Sequence, residues 1–155
     1  MKHRTLTNPE EIRGIIGKCQ VCQVGMSDEN GNPYTLPMNF AFTGDNDTVW
    51  LHSSRNGKKM DILKKNPKVC ISFSTDYTLR FQNENIACSY SMKYRSVLIF
   101  GKVEFIEDPA EKADVLNRIM THYVKRTFRF APPALREVCC WKVKAEKIEA
   151  RDYGY

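Results

Sequence analysis

Apolar and polar positions alternate with two different periods along this chain, and the changes of period mark its elements. Asn8-Pro9-Glu10-Glu11 reads as a helix start: Asn caps free amides, Pro tolerates the first helical position, and two acids suit the positive end of the helix dipole. The helix is expected to reach about Gly17. Cys19 to Val24 is an apolar-rich run of strand character, broken at Asp28-Glu29-Asn30-Gly31-Asn32-Pro33, the strongest hairpin signal in the chain. A second strand is predicted from Tyr34 to Phe42, a turn at Gly44-Asp45-Asn46-Asp47, and a third strand from Thr48 to His52, so the first half reads as an antiparallel meander.

The period then changes. Met60 and Leu63 share one face of a short amphipathic helix over about Gly57 to Lys65, ended by Asn66-Pro67, with Lys58, Lys59, Lys64 and Lys65 around its polar side. Val69 to Phe73 resumes strand. Thr75 to Asn85 is polar and aromatic without a period and reads as a loop that could cover a site. Tyr94 to Ile106 alternates through Val97, Ile99, Val103 and Phe105, with Gly101 marking a bend or bulge. Asp108-Pro109-Ala110-Glu111 caps a further helix that places Ala113, Leu116, Ile119, Met120 and Tyr123 on one face, and Val138 to Ile148 is a last strand. Five or six strands, three helices and hairpin-length turns predict a mainly β, α+β fold, an antiparallel sheet or barrel in one domain spanning residues 1–155.

Composition narrows the class. A chain of 155 residues with 42% apolar content can build one core without staples. No run approaches the ~18–20 apolar residues of a membrane span, and the N-terminus lacks an apolar signal core, so the expectation is a cytoplasmic protein that does not enter a membrane. The six cysteines then read as reduced thiols. Cys19 and Cys22 have C-x-x-C spacing, but within a strand positions three apart face opposite ways, which favours core packing over a shared metal; Cys139-Cys140 fails by the same geometry, and Cys70 and Cys88 read as buried small hydrophobes. The net charge of +6 suits nucleic acid, anionic lipid or a phosphorylated small molecule. Because acids are interspersed with the bases everywhere except Arg55 to Lys68, a local phosphate site is the more economical reading, and no nucleic-acid partner is expected.

Candidate chemistry concentrates at Trp50-Leu51-His52-Ser53-Ser54-Arg55-Asn56-Gly57-Lys58-Lys59-Met60-Asp61. A strand end, two hydroxyls, a glycine and two cations meet a helix start, which is the outline of a phosphate cradle: Ser53, Ser54 and free backbone amides donate, and Lys58 and Lys59 add charge. The alternative is a solvated lysine face. His52 either contacts a ligand, with proton donation open to it if it titrates near neutrality, or satisfies a local hydrogen bond. His122 reads as a surface residue and His3 as part of a mobile terminus. Tyr77, Phe81 and Tyr90 either stack on a planar ligand or close the core.

Four ordered patterns resemble the pyridoxamine 5′-phosphate oxidase-like FMN-binding split barrels, and within them the nitroimidazole-reductase-like branch. They are Pro33-Tyr34-Thr35-Leu36-Pro37-Met38-Asn39-Phe40, Leu51-His52-Ser53-Ser54 with Gly57-Lys58-Lys59, Asn66-Pro67-Lys68-Val69, and Tyr94-Arg95-Ser96-Val97 leading to Gly101-Lys102-Val103-Glu104. The resemblance spans about residues 8–125. It implies a split β-barrel that binds FMN, with Leu36, Pro37, Met38 and Asn39 against the flavin ring. His52, Ser53, Lys58 and Lys59 would hold the ribityl chain and phosphate, beside Ser54 of the cradle, and Ser96 would reach the site across the interface of a homodimer. It further implies an oxidoreductase passing electrons from a nicotinamide-type reductant to a small electron-poor, nitroaromatic-like acceptor; a non-catalytic flavin or haem binding protein on the same barrel is the alternative. Trp141-Lys142-Val143-Lys144 is not the Trp-x-Arg signature of true pyridoxamine-phosphate oxidases, which points away from vitamin B6 oxidation. No GxGxxG fingerprint is present, so a nicotinamide would visit the open flavin face.

Overall fold

The computed structural model describes residues 2–155. Its strands are β1 (His3–Leu6), β2 (Cys22–Ser27), β3 (Pro33–Met38), β4 (Phe40–Thr43), β5 (Thr48–Ser54), β6 (Lys68–Arg80), β7 (Ser91–Ile106) and β8 (Val138–Tyr153). Four helices are interspersed, α1 (Pro9–Lys18), α2 (Lys58–Lys65), α3 (Pro109–Val124) and α4 (Pro132–Glu137). All strand pairs are antiparallel, in the order β3-β2-β6-β7-β8-β5-β4, with β1 beside β8.

The order corrects the expected meander. β3 and β4 lie at opposite ends of the sheet, yet only Asn39 separates them in sequence. Two peptide units reach at most ~7 Å, so the ends of the sheet must meet there, and the sheet is rolled into a split barrel. A continuous strand from Tyr34 to Phe42 is therefore replaced by two strands that change partner at Asn39, β3 pairing with β2 and β4 with β5.

Local signals account for most boundaries. Asn8 Oδ1 accepts hydrogen bonds from the amides of Glu10 and Glu11 at 2.8 and 3.4 Å, starting α1 as its sequence requires. The β2–β3 turn runs Asp28–Asn32 with only Gly31 at positive φ (81°), a type I turn closed by a glycine bulge rather than a two-residue turn. Cys19 is the C-cap of α1 and not a strand residue, and β2 begins at Cys22. Alternation along a strand therefore does not relate Cys19 to Cys22; both thiols are nevertheless buried and donate to main-chain carbonyls, Cys19 to Ile15 and Ser74, Cys22 to Met38.

The expected loop from Thr75 to Asn85 is in large part strand. β6 continues to Arg80 and pairs with Ser91–Lys93 of β7 beyond a bulge between Thr75 and Thr78, forming a ribbon whose tip holds one 3-10 turn at Ala87–Ser89. Tyr77, Leu79, Phe81, Tyr90 and Met92 are exposed on it, so its aromatics do not close the core. Cys88 is exposed as well, and Cys70 only half-buried, against the expectation of buried thiols. His3 lies in β1, paired with Tyr153, and not in a free terminus.

The main core joins Ile15 and Ile16 of α1, Met60 and Leu63 of α2, and the inward residues Phe40, Leu51, Ile71, Phe73, Ile99 and Trp141 of the barrel. A second cluster lies under α3, where Val115 and Ile119 meet Ala41, Ile106 and Cys140. The buried stripe of α3 is Lys112, Val115 and Ile119, one position round from the expected face, because the helix packs on β4 and β5. Among the described residues no helix is long and apolar enough to cross a membrane.

Candidate functional site

The break at Asn39 and the end of β5 border one cavity of about 300 Å³, lined by Val21, Leu36, Pro37, Met38, Asn39, His52, Ser53 and Lys59. Seven of these eight residues are among the sequence-predicted site residues; the barrel brings these seven together, although they lie up to 23 positions apart, because β3 turns into β4 beside the start of α2. Sequence reasoning missed Val21, an exposed apolar residue between α1 and β2 that no local pattern distinguishes. At the lower end of the ~300–1,000 Å³ range of small-molecule sites, this cavity would enclose only part of a large cofactor.

His52 supplies the site's most informative atom. Its Nδ1 is buried and has no hydrogen-bond partner among the described residues, a costly state for a polar nitrogen. Burial first, and then the Lys59 ammonium, push the imidazole below its ordinary pKa, so the ring is neutral near pH 7. On the adjoining wall Ser53 Oγ donates to the Ser54 carbonyl at 2.9 Å and lies 3.5 Å from the sulfur of Met60, leaving its lone pairs for another donor. Ser54 is exposed, and its hydroxyl donates to the Asn56 carbonyl at 2.9 Å.

Helix α2 starts at Gly57, whose φ of 119° and ψ of 170° suit only glycine, and no side chain caps it. The first carbonyl of the helix is taken by the amides of Met60 and Asp61, so the amides of Lys58 and Lys59 form an open positive end. The two lysines diverge there: Lys59 lines the cavity, whereas Lys58 is exposed with its ammonium 4.7 Å above the Tyr34 ring.

Ser96 stands apart. It belongs to a second cavity of about 470 Å³ with Ser72, Ser74, Tyr77, Tyr94, Leu98, Glu149 and Arg151, and shares no lining residue with the His52 cavity. Within one chain the ten predicted residues do not converge on one point. His122, expected at the surface, is half-buried, its ring 4.7 Å from that of Phe40 and its Nε2 3.3 Å from the Cys19 carbonyl.

Five of the six cysteines are held as thiols. Burial pushes the Cys22 thiol up to about 12 and Cys140 up to about 11, and raises Cys19, Cys70 and Cys139 too, so all five stay protonated at neutral pH. Among the described residues no group of three His, Cys, Asp or Glu side chains is placed to hold a metal ion.

A family model described as pyridoxamine 5′-phosphate oxidase matches residues 8–152, well past the span over which the short motifs carry the resemblance. Among solved structures, the chain is 41% identical to a protein provisionally assigned to 5-nitroimidazole antibiotic resistance from Bacteroides thetaiotaomicron. The match covers 98% of this chain and 88% of that one, with a TM-score of 0.87. The fold recurs at 21% identity in the flavocytochrome Anf3 from Azotobacter vinelandii, covering 97% and 69% of the two chains with a TM-score of 0.80. It recurs again at 16% identity in an FAD and heme binding protein from Mycobacterium smegmatis, covering 97% and 74% with a TM-score of 0.83. No curated protein matches the chain.

Proposed function

The chain belongs to the pyridoxamine 5′-phosphate oxidase family, and from that premise we propose that it is an FMN-dependent oxidoreductase passing electrons from a nicotinamide-type reductant to a small electron-poor acceptor of the nitroaromatic kind. The observation that carries this reading is the His52 cavity: an apolar wall, an unpartnered buried nitrogen and a cationic, uncapped helix start lie side by side. That combination fits a ligand with a planar ring at one end and a phosphate at the other. The nitroimidazole-type acceptor rests on the 41% identical relative.

Each residue has a definite part in this reading. Leu36, Pro37 and Met38 flank the ring and keep water from one side of it, while Asn39, at the strand break, offers a side-chain amide to its polar edge. His52 borders the ligand, and because its ring is neutral it can accept or relay a proton beside the bound acceptor. Ser53 and Ser54 serve the ribityl chain and phosphate, with Lys59 and the open amides of α2 neutralising the phosphate charge and Lys58 adding a more distant positive charge from outside the cavity. Bound flavin would supply the two-electron chemistry; the protein's share is binding, orientation and electrostatics.

The cavity of one chain is small for the whole cofactor, and Ser96 lies outside it. Both observations support a two-fold homodimer in which Ser96 of one copy completes the site of the other. The test is an absorbance spectrum of the purified protein, FMN titration of the apo form, and turnover of nicotinamide nucleotides with nitroaromatic acceptors. Flavin bands, FMN affinity above that for FAD, and acceptor-dependent oxidation of the reductant are expected. A colourless protein that ignores both flavins overturns the reading, and a haem spectrum or flavin binding without turnover replaces it with the binding-protein alternative.

A further inference from the structure

The C-terminal end of α3 touches the cavity walls from behind without lining them. Val115 and Ile119 fix the register of the helix against Ala41 and Cys140. One turn beyond Ile119, at i+3 and i+4, His122 and Tyr123 therefore fall on the same side of the helix. The Tyr123 hydroxyl donates to the Gln20 carbonyl at 2.7 Å and accepts from the Phe40 amide at 3.2 Å.

Those two backbone groups are the immediate neighbours of cavity residues. Gln20 precedes Val21 in the link between α1 and β2, and Phe40 follows Asn39 at the break between β3 and β4. Among the described residues no strand pairing ties the link to β4, β4 ends the sheet, and the Phe40 amide donates to the phenol. We propose that Tyr123 is a positioning residue: its single hydroxyl clamps the segment carrying Val21 to the segment carrying Asn39 and so sets the width of the cavity opposite His52. His122 reinforces the clamp by packing on the Phe40 ring and meeting the Cys19 carbonyl. The functional consequence rests on the cavity being the flavin site.

The test is Tyr123→Phe, which keeps the ring and its edge contact with His122 and deletes only the hydroxyl. Three measurements are made on wild type and variant: amide hydrogen exchange of the apo protein, FMN affinity by fluorescence quenching, and the visible circular dichroism of the bound flavin. Exchange at Phe40 is expected to quicken at least about tenfold while β7 and β8 are unaffected. The FMN dissociation constant should rise about three- to tenfold, the worth of one or two neutral hydrogen bonds, with an altered visible dichroic spectrum that a merely structural loss would leave alone. Unchanged Phe40 exchange, or FMN affinity kept within twofold with the same dichroic spectrum, overturns the positioning role. Failure of the wild type to bind flavin at all overturns the flavin reading instead, and the exchange result then stands separately on the apo protein.

Discussion

The Lys59 side chain and the His52 imidazole border the same cavity, and the positive charge of the first adds to burial in disfavouring protonation of the second. Because the folded pKa of His52 lies below its unfolded value, the unfolded chain binds more protons in the interval between them. The stability tied to the neutral ring is thus complete above the unfolded value of ~6.5 and is lost as pH falls through the folded one. Lys59→Ala should move the His52 titration upward toward its ordinary position, followed by the ring-proton NMR shift of His52 against pH. A titration that does not move would refute the coupling.

Lys58 and Lys59 are expected to differ as phosphate ligands. Lys59 borders the cavity and Lys58 stands over Tyr34 at its outside. A charged hydrogen bond to phosphate is worth ~1.5–3 kcal/mol, so Lys59→Ala should weaken FMN binding about tenfold or more, whereas Lys58→Ala should stay within about threefold. Titration of each apo variant with FMN separates them, and equal losses would mean that both cations reach the phosphate.

Asp76 occupies the bulge where β6 leaves the barrel, with φ of 58°, and its carboxylate meets Arg95 at 2.8 Å and Lys18 at 3.0 Å. Hydrogen bonds from Arg95 first and Lys18 second hold this carboxyl below the usual range. Its contribution is therefore present above the unfolded value of ~3.9 and is lost as pH falls through the folded one. Asn tolerates the left-handed backbone as well as Asp does, so Asp76→Asn isolates the charge. The variant should lose about 1 kcal/mol or less at pH 7, as for screened surface pairs, and show a flatter decline of stability below pH ~4 in urea melts.

What could be read from sequence follows from what imposes a pattern. The cap at Asn8, the turn at Gly31 and the α2 stripe of Met60 and Leu63 are local devices, and each folds as its residues dictate. The ribbon of Tyr77, Leu79, Phe81 and Met92 has no core beneath it, so burial never imposed a period of two on its sequence. β1 escaped notice for a related reason: among His3, Arg4, Thr5 and Leu6 only Leu6 is buried. Partner exchange at Asn39 is a property of the rolled sheet, which nearest-neighbour chemistry cannot express. At the site, His52, Ser53 and Lys59 were legible because a strand end met a helix start; Val21 and the clamp from Tyr123 depend on packing between distant segments.

Lys112 shows how a charge can serve architecture alone. It is 3% exposed, and its ammonium donates to the Leu135 carbonyl at 3.1 Å and the Val138 carbonyl at 2.9 Å, pinning the joint between α4 and β8 to α3. Lys112→Met preserves the stem and strands both carbonyls. A loss of about 1–3 kcal/mol in urea unfolding is expected, because both carbonyls lose their donor.

Gly101 sits where β7 and β8 slip register: Phe100 opposes Lys147 while Gly101 opposes Ala145, leaving Glu146 as the extra residue of a bulge. A Cβ at Gly101 would lie 2.5 Å from the Lys144 carbonyl oxygen and 2.8 Å from Val143 Cγ1. The nearer obstacle is main chain in the most extensively paired strands of the barrel, so it cannot swing aside, and Gly101→Ala must part β7 from β8 at an expected cost of about 2–3 kcal/mol. Gly25 gives a graded comparison, since its added Cβ would meet the Cys70 carbonyl at 3.2 Å, and a shift of a few tenths of an ångström relieves it for about 1 kcal/mol or less. Gly14, exposed within α1 with nothing near, gives the opposite sign: Gly14→Ala should stabilise by ~0.5–1 kcal/mol through helix propensity. Urea midpoints should therefore fall in the order Gly14→Ala, wild type, Gly25→Ala, Gly101→Ala, and a Gly101 variant more stable than the Gly25 variant would show that the β7–β8 bulge yields more easily than its backbone contact implies.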